Sequence, residues 1–394
     1  MQKAESIYKS LGANERAIID KIPYCFLKKS FIQLIAFKLK LQWKGWLQYL
    51  IPLPLSFLSF LVGITFYFIG FAIPFYFFLI FGVLLLLRIL FDIITIKWLI
   101  RPKETDGNPN YDKNSIELIK LRRSCRSYQN RKLTKADYDD LMQRVNQHLK
   151  EPKFSKKKIR LEYISGNVRV WPVVNASEFL VAIAPKEYDR LAIMDVGRTL
   201  QKIVIDATRM GIATCWIGPG ADHKSLYAYL GKQFDKEKEN IICICAIGYK
   251  SRYTPLFIQI LNNKFHHRLP LKSLIFTDIE SQNPIDVSAH PFNIFYKAFE
   301  SCQWSPSSYN SQTTRCTAGL DEHGEINRFD FYAVTSSKYY AAIATGIWCA
   351  NWEMACEILR FEGQFVVLND SLKRTELPVY DISWLLKNPV SIQA

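Results

Sequence analysis

The pattern of apolar and polar positions divides the chain into regions of very different character. From Gly45 to Leu87 no aspartate, glutamate, lysine or arginine interrupts the apolar residues, a run about twice the ~20 residues needed to cross a bilayer as a helix. It predicts two crossings, "LQYLIPLPLSFLSFLVGITFYFI" and "IPFYFFLIFGVLLLLRILFDIITI", joined by a turn from Gly70 to Pro74. Pro52, Pro54 and Pro74 fall near helix ends or in the turn, where a missing N–H does least harm. An uncleaved hairpin fits better than a signal peptide, because the run is too long and begins too late.

Residues 101–114 are polar and rich in turn-formers, which reads as a linker. Beyond them "SIELIKLRRSCRSYQN" predicts a helix that breaks near its end, and Thr134 opens a second helix with an acidic first turn. "KIRLEYI" and "FLVAIAP" read as strands. "IMDVGRTLQKIVIDATRMG" is an amphipathic helix with Ile193, Val196, Leu200, Ile203, Val204 and Ala207 on one face, ended by Gly211. "IATCWIGPG" is a strand and glycine loop, "LYAYLG" a short helix, and "NIICICAIGY" a buried strand.

From residue 285 a similar order returns in shorter form. A helix, "NIFYKAFESCQW", and a strand, "RFDFYAVTS", lead to "YYAAIATGIWCANWEMACEIL", a second long helix with Ile343, Ile347, Met354 and Ile358 on a stripe. Gly197 and Gly346 occupy comparable places in the two long helices, which points to an internal duplication. The expected class is α+β, with a basic segment over residues 1–45, the hairpin over 46–100, the linker over 101–114, and two halves over 115–280 and 281–394.

The net charge of +15 would suggest nucleic acid if it were spread over a soluble domain. Instead Lys3, Lys9, Arg16, Lys21, Lys28, Lys29, Lys38, Lys40 and Lys44 precede the apolar run, and Lys97, Arg101 and Lys103 follow it. This distribution excludes a nucleic-acid partner and makes membrane lipids the expected one. The turn between the crossings has no charge, so the positive-inside rule places both termini and the soluble part on the cytoplasmic side. Residues 1–45 either lie on the membrane surface as a basic helix or pack on the soluble part. The nine cysteines include no CxxC, so no metal site is expected, and their scatter suits a reducing compartment.

Two polar stretches carry the candidate chemistry. "LRRSCRSYQN" brings Arg122, Arg123, Ser124 and Arg126 together, and guanidinium groups bind phosphate through charge-assisted hydrogen bonds worth about 1.5–3 kcal/mol each. "WSPSSYNSQTTR" sets Pro306, Ser307, Ser308 and Asn310 after an apolar helix, as either a self-capped loop or a row of short donors and acceptors for a ligand.

These segments, in order around "MDVGRTLQKIVIDATRMGIATCWIG", resemble the nitroreductase family of flavin enzymes over about residues 115–394. The resemblance implies FMN as cofactor and NADH or NADPH as reductant. It also implies a small-molecule electron acceptor such as a nitroaromatic or quinone, reduced in a ping-pong cycle. Arg122, Arg123, Ser124 and Arg126 match the family's phosphate and ribityl contacts, and Arg268 resembles a late basic residue of the same clamp. Ser307, Ser308 and Asn310 match the half-site given across the family's dimer interface, with Pro306 shaping the turn. Gly218 or Gly220 would supply a backbone N–H to flavin N5, since Pro219 has none.

In most family members the arginine and serine segments lie near each other in one chain; here about 180 residues separate them. This is similar to a branch in which two half-subunits are fused, so that one chain acts as an internal pseudo-dimer and works as a monomer. The family's Pro-Trp after the glutamine is replaced by Thr313 and Thr314, which leaves a second reading: a membrane-tethered flavin-binding or scaffold protein without turnover. No residue is expected to act as a catalytic acid or base, because the flavin performs the redox step.

Overall fold

The computed structural model describes residues 8, 16, 19–218, 220–264, 266–323, 325–368 and 376–390; Pro219 and most of residues 1–18 lie outside them. The N-terminal region holds α1 (Cys25–Trp43), the single turn α2 (Leu47–Leu50), α3 (Leu53–Ile69) and α4 (Ala72–Asp92), which continues as a π-helical turn over Ile93–Lys97. Gly70, left-handed at φ 87°, ends α3 by donating to the carbonyls of Phe66 and Tyr67. The turn is tighter than the sequence suggests, because Pro74 sits inside the first turn of α4, where its absent N–H is not needed.

Helices α3 and α4 meet through small residues: the Ser56 hydroxyl donates to the Gly82 carbonyl (2.9 Å) and the Ser59 hydroxyl to the Phe78 carbonyl (2.7 Å). Their outer faces expose Phe, Leu and Ile side chains. Leu47–Ile69 and Ala72–Lys97, at mean hydropathy 1.9 and 2.7, are long and apolar enough to cross a membrane.

The linker is docked rather than loose. Arg101 pairs with Glu104 (3.4 Å), both side chains 5% exposed, and Glu104 also accepts from the Ser251 hydroxyl (2.9 Å) and the Arg252 N–H (2.6 Å). Asn114 closes a capping box with Glu117 at the start of α5 (Ser115–Leu121). Then follow α6 (Lys135–Lys150), β1 (Arg160–Ser165), β2 (Glu178–Pro185), the long α7 (Arg190–Arg209), β3 (Ala213–Ile217), α8 (His223–Leu230), β4 (Glu239–Gly248) and α9 (Leu256–Lys264).

The second part comprises β5 (Ile275–Phe276), α10 (Tyr296–Gln303), β6 (Thr314–Leu320), β7 (Ile326–Ala333), the long α11 (Tyr340–Leu359), β8 (Gly363–Val366) and β9 (Val379–Val390). The first sheet is antiparallel in the order β1-β2-β4-β3, and the second runs β5-β6-β7-β9-β8. With β5 set aside, each sheet is built from strand, strand, long helix, strand, strand, and the strands lie in the same order. β5 pairs parallel with β6, which extends the second sheet at its edge and makes it mixed.

The two long helices cross at the glycines that the sequence repeat aligns. A Cβ on Gly197 would stand 2.4 Å from the Ile343 carbonyl oxygen, and one on Gly346 would stand 2.0 Å from that of Met194. Each glycine thus faces the carbonyl three residues before the other, a reciprocal contact of the kind a two-fold axis produces. Polar pairs flank the crossing: Arg198 with Glu353 (2.6 and 2.9 Å), Gln201 with Asn351 (3.0 Å), and Arg190 with the buried Asp381. α11 is buried around most of its surface rather than along one stripe, and Ile358, expected on that stripe, is 42% exposed.

In an open helix, Gly to Ala stabilises by up to about 1 kcal/mol. Here Gly346→Ala is expected to lower stability by about 1–3 kcal/mol through overpacking, read as a loss of Tm. An unchanged or raised Tm would mean that the crossing is not close-packed.

Candidate functional site

The arginine run is not helical as the sequence suggests. α5 stops at Leu121, and residues 122–128 continue extended because they find partners on the sheet: Ser124 bridges Thr214 of β3, and the Cys125 N–H donates to the Thr214 carbonyl (2.8 Å). The run therefore lies along the edge of β3, whose C-terminal end leads into the Gly218–Gly220 loop. Arg122 is 6% exposed, and its only side-chain hydrogen bond among the described residues is a long one to the Ser124 hydroxyl (3.5 Å).

Arg268 arrives from the chain after α9 and joins the two parts. Its guanidinium donates to the Asn310 side-chain oxygen (2.6 Å) and, at 3.4 Å, to the carbonyls of Ser305 and Trp304. Asn310 returns a hydrogen bond to the His267 carbonyl (2.6 Å), and Gln312 accepts from the Leu269 N–H (2.8 Å). The Trp304 ring carries both Arg123 (4.9 Å to the centroid) and Arg268 (5.4 Å). The early arginines and the late serine segment are thus brought to one place.

The electrostatics of this place are unusual. No carboxylate pairs with Arg122, Arg123, Arg126 or Arg268 among the described residues, and the Nε atoms of Arg122 and Arg268 are buried without partners. Burial, then the charge of Arg268, holds Arg122 down to about 10; burial, then Arg123, does the same to Arg268. Burial and the charges of Arg123, Arg268, Arg122 and Arg126 together push His266 below the usual histidine range. Uncompensated guanidinium groups cost several kcal/mol each to desolvate, and a phosphate dianion is the group that relieves that cost with matched geometry. The residues present fit a nucleotide phosphate.

The serine segment is a tight, left-handed turn. Tyr309, Asn310 and Gln312 have φ of 52°, 55° and 47°, and the Ser307 hydroxyl accepts from the Gln312 N–H (2.9 Å). Pro306, Ser307, Gln312, Thr314, Ala344 and Trp348 line a crevice of about 10 Å³, room for no more than one water. This is far below the roughly 300–1,000 Å³ of small-molecule sites, so the segment forms a wall and not an enclosed chamber. Ser308 opens the short 3₁₀ turn beside it.

The glycine loop faces the second part: a Cβ on Gly218 would lie 3.1 Å from the Tyr340 ring. Gly220 has a structural reason to lack a side chain, since a Cβ there would meet the Trp171 carbonyl oxygen at 2.0 Å. Arg126 is engaged by Asn262 of α9 (2.5 Å). Trp304, Gln312, Tyr340 and Asn262 are the site residues that the sequence did not single out for the site. Their roles depend on partners far along the chain, and only the Gln of "SPSSYNSQ" offered a local signal.

At the positions equivalent when Gly197 is set on Gly346, polar side chains replace the apolar ones. Asp195 stands for Ala344 and accepts from the Phe154 and Ser155 N–H groups (2.9 Å each), and Thr199 stands for Trp348 and accepts from Lys153 (3.1 Å).

Two like-ordered sheets, long helices crossing at glycines, and a cluster of arginines without carboxylate partners where they meet characterise this α+β fold. The chain belongs to the family described as "Putative TM nitroreductase", whose match spans residues 114–350, over half of the sequence. Among solved structures, a putative nitroreductase from Thermotoga maritima is 16% identical with a TM-score of 0.43, covering 73% of this chain and 100% of that one. A nitroreductase from Bacteroides fragilis with bound FMN is 18% identical (TM-score 0.30), covering 36% and 92%. An FMN-dependent nitroreductase from Mycobacterium smegmatis in complex with NADPH is 15% identical (TM-score 0.29), covering 35% and 88%. No curated protein matches the chain.

Because Arg122 is buried without a counter-charge, Arg122→Met is expected to leave the ligand-free protein at least as stable, by up to about 4 kcal/mol more. It should abolish the rise in Tm given by a phosphate monoester, roughly 5–10 °C at a hundredfold excess over Kd. A rise retained in the variant would remove Arg122 from the anion site. Bound anion should also raise the His266 pKa, since it offsets the arginine charges that lower it; a histidine NMR titration with and without the monoester reads this.

Proposed function

We propose that the chain is a membrane-anchored, FMN-dependent NAD(P)H oxidoreductase of the nitroreductase type, in which two fused half-subunits form one flavin site. Four arginines that converge without carboxylate partners, beside a serine-rich turn from the other half, carry this reading. Arg122, Arg123, Arg126 and Arg268 would hold the FMN phosphate, with Ser124 beside it. Ser307 and Ser308 would approach the ring, while Asn310, tied to Arg268 and His267, would orient the clamp. When bound, FMN would supply two-electron redox chemistry at N5 for a nitroaromatic, quinone or similar acceptor. Gly218 or Gly220 would offer a backbone N–H at that atom.

The protein's own part is to bind, orient and exclude water. The reciprocal glycine contact supports the fused-half reading, as does the shared strand order. The polar side chains at the counterpart positions, Asp195 and Thr199, support one flavin per chain rather than two. The two apolar helices support an anchor, and the basic residues at both outer ends support a cytoplasmic position for the termini and the catalytic part.

Purified in detergent, the protein is expected to be yellow, to hold one FMN per chain, and to bleach when NADPH is added without oxygen. Arg122→Ala combined with Arg123→Ala, and separately Ser308→Leu, should each weaken FMN binding at least tenfold. Colour without bleaching by NADH or NADPH would favour a flavin-binding protein without turnover. Unchanged FMN content in both variants would end the shared-site reading.

A further inference from the structure

Helix α1 (Cys25–Trp43) carries two apolar faces, and among the described residues one of them has protein partners. Ile32, Ile35 and Leu39 pack on Ile19 and Tyr8, in a cluster that takes no residue of the soluble halves. On the opposite side, at about 3.6 residues per turn, Phe26, Leu27, Leu34 and Phe37 fall within an arc of roughly 100°, and they are 50–77% exposed. One apolar stripe is enough to hold a surface helix on its protein. Exposed apolar side chains scattered singly are ordinary, whereas a contiguous face of them marks a binding surface.

The charges around this face select its partner. Lys38 borders it on one side and Lys29 and Lys40 on the other, all three exposed. From Lys21 to Phe91 the sequence has no aspartate or glutamate, and Asp20, just before the helix, pairs with Lys28 (3.0 Å). An apolar band edged by lysines, with no acid beside it, suits the headgroup layer of an anionic bilayer. The end of α1 also lies at that level. Gly45, left-handed at φ 68°, donates to the Gln42 carbonyl (3.0 Å) and the Trp46 N–H to the Leu41 carbonyl (2.8 Å), which turns the chain out of the helix just before the hairpin starts at Leu47. Lys97, at the far end of the hairpin, donates to the Lys44 carbonyl (2.9 Å) and stands over the Trp46 ring (5.3 Å to the centroid). Both ends of the hairpin therefore meet the end of α1, and the exposed Trp98 follows there, a residue type enriched at the bilayer interface.

We infer that α1 lies along the membrane surface, with Phe26, Leu27, Leu34 and Phe37 in the acyl boundary and Lys29, Lys38 and Lys40 on the phosphates of anionic lipids. The residues alone left this segment between the membrane surface and the soluble part; the free apolar face and the tie to the hairpin choose the surface. Among the described residues no hydrogen bond or ion pair joins α1 to the soluble halves, and Lys28 with Asp20 is its one ion pair. The inference rests on the reading of the hairpin as a membrane anchor and is independent of the flavin. Nineteen residues at about 1.5 Å each extend the attachment by roughly 28 Å along the surface. Attachment through α1 depends on lipid charge, which two uncharged crossings do not sense.

The test uses the full chain in nanodiscs of equal parts phosphatidylcholine and phosphatidylglycerol. In a Cys25→Ser background, which removes the one exposed thiol among nine, Leu34→Cys and, separately, Leu84→Cys carry a fluorophore. Lipids brominated near the headgroup should quench the label at 34 at least twofold, and soluble acrylamide should quench it little; strong quenching by acrylamide overturns the inference. A label that neither quencher reaches means that protein, such as a second copy of the chain, covers the face, and this also overturns it. In discs of phosphatidylcholine alone, and in the combined variant Lys29→Glu, Lys38→Glu and Lys40→Glu, quenching by brominated lipid should fall at least twofold. Unchanged quenching in either case overturns the assignment to anionic lipid. Leu84, exposed near the middle of α4, reads the anchor itself: lipids brominated deep in the acyl chain should quench its label throughout, and if they do not, the anchor reading fails.

Discussion

The approach of two helices at a pair of glycines is the constraint on which the rest of the molecule depends. Gly197 and Gly346 each admit the other helix's carbonyl where any side chain would collide, and that contact sets how the two sheets face each other. Asn351, held by Gln201 across the crossing, donates to the Ser305 hydroxyl (2.9 Å) and the Ser301 carbonyl (3.1 Å). The serine segment is therefore positioned by the helix crossing itself. A change that spreads the helices moves Ser305 to Gln312 away from Arg268, so packing and site geometry are one problem rather than two.

The arginine cluster concentrates unmatched positive charge at one place in the fold. Guanidinium groups buried without carboxylates are unfavourable in the empty protein, and they persist because the surrounding packing and the carbonyls of Ser305 and Trp304 hold them. Several other buried charges of the same chain are paired with opposite ones: Arg198 with Glu353, Arg190 with Asp381, and Lys202 with Glu151 and Glu353. The contrast within one molecule is what gives the unmatched cluster its meaning.

Much of this was legible in the residues. The apolar run, the two long helices and their aligned glycines, and the polar segments at 122–126 and 304–312 all leave local signals of period or composition. What was not legible depends on distant partners. Apolar periodicity continued a helix through the arginines, because nothing local announces that Ser124 will pair with Thr214. The linker read as free because Glu104 meets Ser251 only in the fold. Trp304 looked like the end of a helix, and only the arrival of Arg123 and Arg268 on its ring makes it a platform.

The two halves differ at equivalent positions of their long helices. Ala344 and Trp348 border the small crevice beside the serine turn, whereas Asp195 and Thr199 are hydrogen-bonded to residues 153–155. A symmetric dimer would have to keep both places alike, since one sequence serves both halves. On the proposed fused-half reading that requirement falls away, and each half is free to specialise. The place at Asp195 and Thr199 then contributes stability through matched hydrogen bonds, while the arginine cluster keeps the unmatched charge that a phosphate group would satisfy.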